Sequence, residues 1–318
     1  MVISVSTSDS VIWNFEKVIA DICVGMHQKT DIELDLLNEG PALSETNLYK
    51  HIEYCADMFN YALTDITIHT CNKLENHPLI NINYCPPRHF VDSTVESLKN
   101  VHVNKSSTLK HFGLFIGRSN APRLLLSTTL NKISNSVIQS FHYRYDDDFH
   151  TANIGIEDIV RNYKQKSLIN EAKFLDKCPI VLDNTKVTYP MLVDQHNNIH
   201  QYYSTFFVEV VCETYYNGET FFPTEKIWRP IMLKTPFIVQ GPQWFLRNLK
   251  ALGFKTFDRW WDEGYSEDPH NHSLYEIEKV LQYINNKTLD ELLQMYSEMT
   301  EVLEHNYNTL IALGNSYE

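Results

Sequence analysis

The sequence predicts an α/β protein of two parallel-sheet halves followed by C-terminal helices. Three observations predict it. Apolar and β-branched runs alternate with stretches of helical spacing, the order that builds a parallel sheet. That order starts twice, over residues 30–78 and again over 111–130. The 318 residues, 43% of them hydrophobic, can bury a substantial core, and a length of this kind suggests about two domains.

In the first half, "TDIELDLLNEGP" (30–41) is an alternating-to-apolar run that ends in Asn-Glu-Gly-Pro, and "SETNLYKHIEYCADMFNYAL" after it has helical spacing. That is a strand, a tight loop and a helix. "TDITIHTCNKLENHP" (64–78) repeats the pattern, with Asn72 and Glu75 in the loop after the strand. Strands alternating with helices imply a sheet covered on both faces. Residues 92–110 are more polar, contain "NKSST" and read as a linker. "HFGLFIGRSNAPRLLLSTTL" (111–130) restarts the motif: an apolar strand, a Gly-Arg-Ser-Asn-Ala-Pro-Arg loop and an apolar helix. Two further apolar runs, "YYSTFFVEVVCET" (202–214) and "IMLKTPFIVQG", bracket an exposed-looking Thr224-Glu225-Lys226. The tail from 274 has long helical periodicity and is expected to pack back as two helices. The expected domains are therefore 1–106, 107–273 and the helical tail 274–318.

The bulk chemistry excludes several classes. A net charge of -13 argues against a general nucleic-acid binder, whose affinity comes from lysines and arginines neutralising phosphates. Six cysteines are scattered without CxxC spacing, which fits neither a zinc site nor a disulfide framework and reads as reduced core residues. The start of the chain lacks a basic segment followed by an apolar one, and no stretch reaches the ~20 apolar residues of a membrane helix. The expectation is a chain without a membrane span, placed in the cytoplasm (that of a host cell, if the protein is viral). There is no Walker loop, no GxSxG elbow and no HExxH helix.

Phosphate chemistry is suggested at two places. In "GRSNAPR", a glycine after a strand lets the backbone approach a ligand, Arg118 and Arg123 each carry a planar fork of donors, and the amides of the next helix favour an anion. The bland alternative is a turn with two solvated arginines. Thr224 is a good N-cap and Glu225 complements the helix dipole, so capping explains both. Lys226 is unfavourable in a first turn unless an anion is near. Ribose hydroxyls for the carboxylate and phosphates for the ammonium would suit the pair, and Glu213, ending an apolar strand, would face the same crevice.

"FFVEVVCET" followed by "FFPTEKIWRPIMLKTPFIVQG" resembles the donor-binding signature of the α1,3-fucosyltransferase-like glycosyltransferases, and "HFGLFIGRSNAPRLLL" is similar to their Arg-bearing phosphate loop. The resemblance covers about residues 111–260. It implies the GT-B architecture, two Rossmann-like domains with parallel sheets facing a cleft, the nucleotide-sugar held mainly by the second. It implies that Glu225 holds the ribose, that Lys226 with Arg118 or Arg123 holds the diphosphate, and that Glu213 meets the donor sugar or ribose. After Glu213, "TYYNGETFF" stands where the group has Asn-Ser, so fucose itself is not implied.

The reaction this implies is inverting transfer of a sugar from a nucleotide-diphosphate sugar to an acceptor hydroxyl, with no metal and no cofactor beyond the donor. It needs a base, and Glu39 in the tight "NEGP" loop is the expected one, with Glu75 in reserve. The acceptor is expected to be a glycan or lipid-linked sugar, or else a hydroxymethylated base in DNA, as in phage DNA-modifying glycosyltransferases. A noncatalytic nucleotide-sugar-binding protein is a second class, and a metal-dependent GT-A transferase using Asp146 and Asp148 of "YRYDDDFH" a third. "HNH" at 270–272 reads as a surface loop, and the aromatics of "FDRWWDEGYSED" (257–268) read as core with a lesser claim to a stacking pocket.

Overall fold

The computed structural model describes residues 1–8, 11–37, 40–106, 109–117, 119–141, 169–182, 199–216, 218–267 and 273–315. They form an α/β protein with two four-stranded, all-parallel, Rossmann-like sheets and a set of C-terminal helices. The chain resolves into two compact units, one of Met1–His89, Thr214–Thr224 and Gly241–Phe245, the other of Phe90–Glu213, Glu225–Gln240 and Leu246–Glu318.

In the first unit, strands β1 (Val2–Ser4), β4 (Ile32–Leu36), β5 (Ile66–Thr70) and β6 (Asn81–Tyr84) lie side by side in chain order. A small antiparallel hairpin, β2 (Thr7–Ser8) with β3 (Val11–Ile12), precedes helix α1 (Phe15–Gln28). Helix α2 (Leu48–Phe59) joins β4 to β5, as parallel neighbours require a crossover. Each helix buries one stripe at helical spacing, Val18, Ile22, Gly25 and Met26 on α1 and Leu48, Ile52, Cys55 and Ala56 on α2. These stripes and the inward residues Ile32, Leu34, Leu36, Ile66 and Ile68 form one core.

The other face of this sheet departs from the expected two-sided cover. Glu33 and Asn83 are exposed and Asp35, Thr67 and His69 half-buried, with Asn83 Nδ2 2.9 Å from His69 Nδ1. The alternation in "IELDL" and "ITIHT" is the cause, since period-two polarity leaves one face without apolar surface to bury.

In the second unit, the strand order is β10 (Phe237–Gln240), β9 (Phe206–Cys212), β7 (Lys110–Ile116), β8 (Val137–Phe141). Here β9 is buried at all seven positions and β10 at all four, the continuous apolar pattern of strands covered on both faces. Helix α3 (Arg88–Leu98) runs through the first part of the stretch read as a linker, because Val91, Thr94 and Leu98 make a buried stripe within a polar sequence. Helix α4 (Ala121–Ile133) follows β7, α5 (Ile169–Leu175) lies against α4, α6 (Glu225–Met232) joins β9 to β10, and α7 (Phe245–Ala251) follows β10. The tail holds three helices rather than two: α8 (Ser273–Asn285), α9 (Leu289–Glu298) and α10 (Thr300–Asn315). A capping box starts α9, with Thr288 Oγ1 accepting from Glu291 N at 3.3 Å and Glu291 Oε2 accepting from Thr288 N at 2.7 Å. As expected the tail packs back, α8 on α4, α9 on β9 and α10 on α6. Among the described residues no helix is long and apolar enough to cross a membrane.

Further along the stretch read as a linker, Lys105 is pinned in the interior of the second unit. Its buried Nζ donates to the carbonyls of Tyr203 and Phe206, both at 2.8 Å, and to Thr235 Oγ1 at 3.1 Å. Burial pushes this amine down to about 7, with Glu209 acting in the opposite direction. In the unfolded chain a lysine titrates near ~10.4, so between these values the unfolded state holds a proton the native state lacks and native stability rises with pH. Wild type is therefore expected to gain about 1–2 kcal/mol on a Lys105→Met variant between pH ~6.5 and ~8.5, read by urea unfolding at both pH values. A constant difference across that range would show that Lys105 keeps its ordinary titration.

Candidate functional site

The second unit contains a topological switch point. From β7 the chain steps one way to β8, and β9 and β10 are added on the other side, so the crevice at the C-terminal ends of β7 and β9 is where an open parallel sheet takes a ligand.

At the end of β7, Gly117 is not in the left-handed region, and a Cβ built on it would meet nothing within 4 Å among the described residues. Neither conformation nor packing requires glycine there. Gly113, four residues earlier and inside β7, shows the opposite case: its Cβ would lie 2.6 Å from the ring of Phe206. After Gly117, Asn120 takes an extended conformation and caps α4, its Oδ1 accepting from Arg123 N at 3.1 Å, and Pro122 occupies the first turn.

Arg123 is not a solvated turn residue. It is buried, and its Nη2 donates to the Glu213 carbonyl at 3.0 Å, tying the first turn of α4 to the end of β9. Glu213 is buried too, and its amide donates to the Gln240 carbonyl at 3.0 Å, so the ends of β9 and β10 are also tied. Thr224 is fully buried rather than exposed, and it immediately precedes α6. In the first turn of α6, Lys226 Nζ lies 2.8 Å from Glu225 Oε1, and both side chains are partly accessible, at 23% and 13%. The anion that a first-turn lysine calls for is thus supplied here by its neighbour.

Cys212 reports on how these charges gather. Burial pushes its thiol up to about 12; Arg123 and Lys226 pull it down, while Glu209 and Glu213 push it up. One strand end therefore feels Arg123, Glu213 and Lys226 together, with Glu225 paired to the last of them.

Beneath this cluster lies a network that sequence reasoning missed. Glu209 sits in the middle of the wholly buried β9 and pairs with Arg229 of α6, Oε1 to Nη2 at 2.5 Å. Arg229 Nε donates to Tyr203 Oη at 2.6 Å, Tyr203 Oη donates to Glu209 Oε2, and the guanidinium lies 5.5 Å from the Phe115 ring centre. The signal was the carboxylate inside "FFVEVVC", since a charge in an apolar strand needs a partner.

Within the first unit, the reserve base Glu75 is engaged in structure. Its Oε2 accepts from Leu43 N at 2.8 Å and its Oε1 from Tyr49 Oη at 2.7 Å. Burial raises its pKa against the lowering by these donors. Asn72, fully buried, binds the segment that leads into α6: its Oδ1 accepts from Phe221 N at 2.9 Å and its Nδ2 donates to the Glu219 carbonyl at 3.2 Å. Gly40 backs onto the same loop, where an added Cβ would stand 2.6 Å from Asn72 N. Glu39, Arg118, Asp146, Asp148 and the His-Asn-His triplet lie outside the described residues. The aromatics Phe257 and Trp261 are core, their ring centres 5.2 Å apart. Among the described residues no group of three His, Cys, Asp or Glu side chains is placed to hold a metal ion.

Fold and site define an α/β protein with two parallel sheets, one of them carrying buried and half-buried charges at its switch point. Compared with known protein-family models and with curated proteins, the chain matches none.

Proposed function

We propose that this chain is a glycosyltransferase of the GT-B kind, moving a sugar from a nucleoside-diphosphate donor to an acceptor hydroxyl with inversion. The observation that supports this reading best is the gathering of Arg123, Glu213 and the Glu225–Lys226 pair at the switch point of one parallel sheet, beside Gly117, over which no described residue lies within 4 Å of an added Cβ. The donor diphosphate lies over the first turn of α4, where helix amides and the dipole favour an anion. Its arrival draws Lys226 off Glu225, and the freed carboxylate takes the ribose hydroxyls. Arg123 holds the end of β9 in place beneath them. The acceptor oxygen attacks the anomeric carbon as the bond to the diphosphate breaks, and the leaving charge falls to Lys226 and the helix amides. Glu39 is the proposed base for the acceptor proton, with Glu75 in reserve, although its hydrogen bonds to Leu43 and Tyr49 give Glu75 a structural task. A glycan acceptor fits the acidic chain better than DNA, because a net charge of -13 works against binding a polyanion. A cytoplasmic location is part of the same proposal.

The test is a thermal-shift screen of UDP, GDP, CMP and their sugar conjugates, with and without EDTA, on wild type and Lys226→Ala. A ligand at about 100 times its Kd adds ~2.7 kcal/mol, a shift of several degrees. Stabilisation by one nucleotide that survives EDTA and falls at least ~10-fold in affinity in the variant is expected. No shift with any nucleotide would return Thr224, Glu225 and Lys226 to the role of an ordinary helix start.

A further inference from the structure

Two of the six cysteines meet, although they stand 32 residues apart in the chain. Cys23 on α1 and Cys55 on α2 place their sulfurs 3.4 Å from each other, within the interface where the two helices pack on the sheet of the first unit. Both are free thiols. Cys55 belongs to the buried stripe of α2, while Cys23 is half-buried, so one residue of the pair is partly exposed and the other is not. A pair of small apolar side chains filling a helix interface needs neither that contact nor that access. A disulfide requires the sulfurs at ~2.05 Å, so closing the bond asks for a movement of about 1.4 Å, which thiol rotamers and a slight approach of the helices can supply.

We infer that Cys23 and Cys55 form a reversible dithiol–disulfide site that staples α1 to α2 when the protein meets a disulfide oxidant of the glutathione class. The thiolate of Cys23 attacks one sulfur of the oxidant, giving a mixed disulfide and releasing one thiolate. Cys55 then gives up its proton and attacks the Cys23 sulfur, forming the intramolecular bond and releasing the second thiolate. The protein loses two protons and two electrons, and the oxidant becomes two thiols. Burial, with the neighbouring Cys23, pushes the Cys55 thiol up to about 11, so Cys23 is the sulfur that attacks the oxidant first. The closed loop restricts the unfolded chain and so stabilises the first unit. This inference stands apart from the proposed sugar transfer and shares none of its residues.

The experiment treats the full reduced chain with oxidised glutathione and maps disulfide-linked peptides by mass spectrometry under non-reducing conditions. The expected result is a Cys23–Cys55 link at least ~10-fold more abundant than any other pair, reversed by dithiothreitol and lost in both Cys23→Ser and Cys55→Ala. Oxidised wild type should also melt roughly 5–10 °C above the reduced protein, with no such rise in either variant. Three outcomes would overturn the inference: a glutathione adduct on Cys23 that never resolves, links spread over other pairs such as Cys71 with Cys85, or a cross-link formed with no change in melting.

Discussion

Arg229→Ala is expected to destabilise the protein by about 3–5 kcal/mol, lowering Tm by roughly 5–15 °C. The reason lies in what the substitution leaves behind. Glu209 is 1% exposed in the middle of β9, and Arg229 supplies the counter-charge from α6 while also donating to Tyr203. Burial disfavours the charge of Arg229, but Glu209 and Tyr203 outweigh it and its pKa is raised. With the guanidinium gone, a carboxylate stands unpaired in a sheet interior, which costs more than the lost attraction itself. The triple variant Glu209→Leu, Arg229→Met and Tyr203→Phe removes both charges and the buried hydroxyl bound to them, and should recover most of the loss. Thermal melts of the three proteins decide it. An Arg229→Ala variant that melts within a degree or two of wild type would mean that the triad contributes nothing to holding α6 against β9. The first turn of that helix carries Glu225 and Lys226, so the buried triad also sets where the proposed donor residues stand.

The regular elements were legible because their periods are clean. "IELDL", "ITIHT", "HFGLFI" and "FFVEVVC" all became strands, and the one-sided cover of the first sheet was already written in the alternation of the first two. Helix α3 was hidden because a threonine sits in its buried stripe and four of the seven residues of "DSTVESL" are other polar ones. The break between α9 and α10 was hidden for a different reason. No glycine or proline marks it, and Met299, itself buried and with its amide bonded to the Met295 carbonyl, keeps a helical conformation across the joint. At the candidate site, residue type and place at a strand end or helix start drew attention to Arg123, Glu213 and Lys226, and the structure brings their charges to one strand end. Partnership was not legible. A buried carboxylate in β9 demands a cation, yet nothing in the order of residues says that it comes from a position 20 residues later. Asn72 is likewise a plain loop asparagine until it is seen bound to Phe221, 149 residues away. Such pairings are properties of packing, set by which helix lies on which strand.

Gly117→Val is the second large effect expected, and it is one of function rather than stability. Gly117 follows β7 with no positive φ to protect, and an added Cβ meets nothing within 4 Å among the described residues, so a β-branched residue is tolerated by the backbone and stiffens the unfolded chain. Tm should hold or rise slightly. The same space is where the proposed donor diphosphate passes between the strand end and the first turn of α4, and a valine there displaces it. Affinity for the nucleotide that stabilises wild type should fall roughly 10- to 100-fold, since displacements of about an ångström are felt on that scale. Gly113 provides the control of opposite sign, because its Cβ would stand 2.6 Å from the Phe206 ring and Gly113→Ala must disturb the sheet. The two glycines therefore separate two reasons for lacking a side chain, one in the packing of β7 against β9 and one in the ligand. Titration of both variants by thermal shift and by calorimetry reads them independently. If Gly117→Val keeps full nucleotide affinity while Lys226→Ala loses it, the phosphates lie along α6 and not over α4, and the anion-binding role passes from the loop after β7 to the Glu225–Lys226 turn alone.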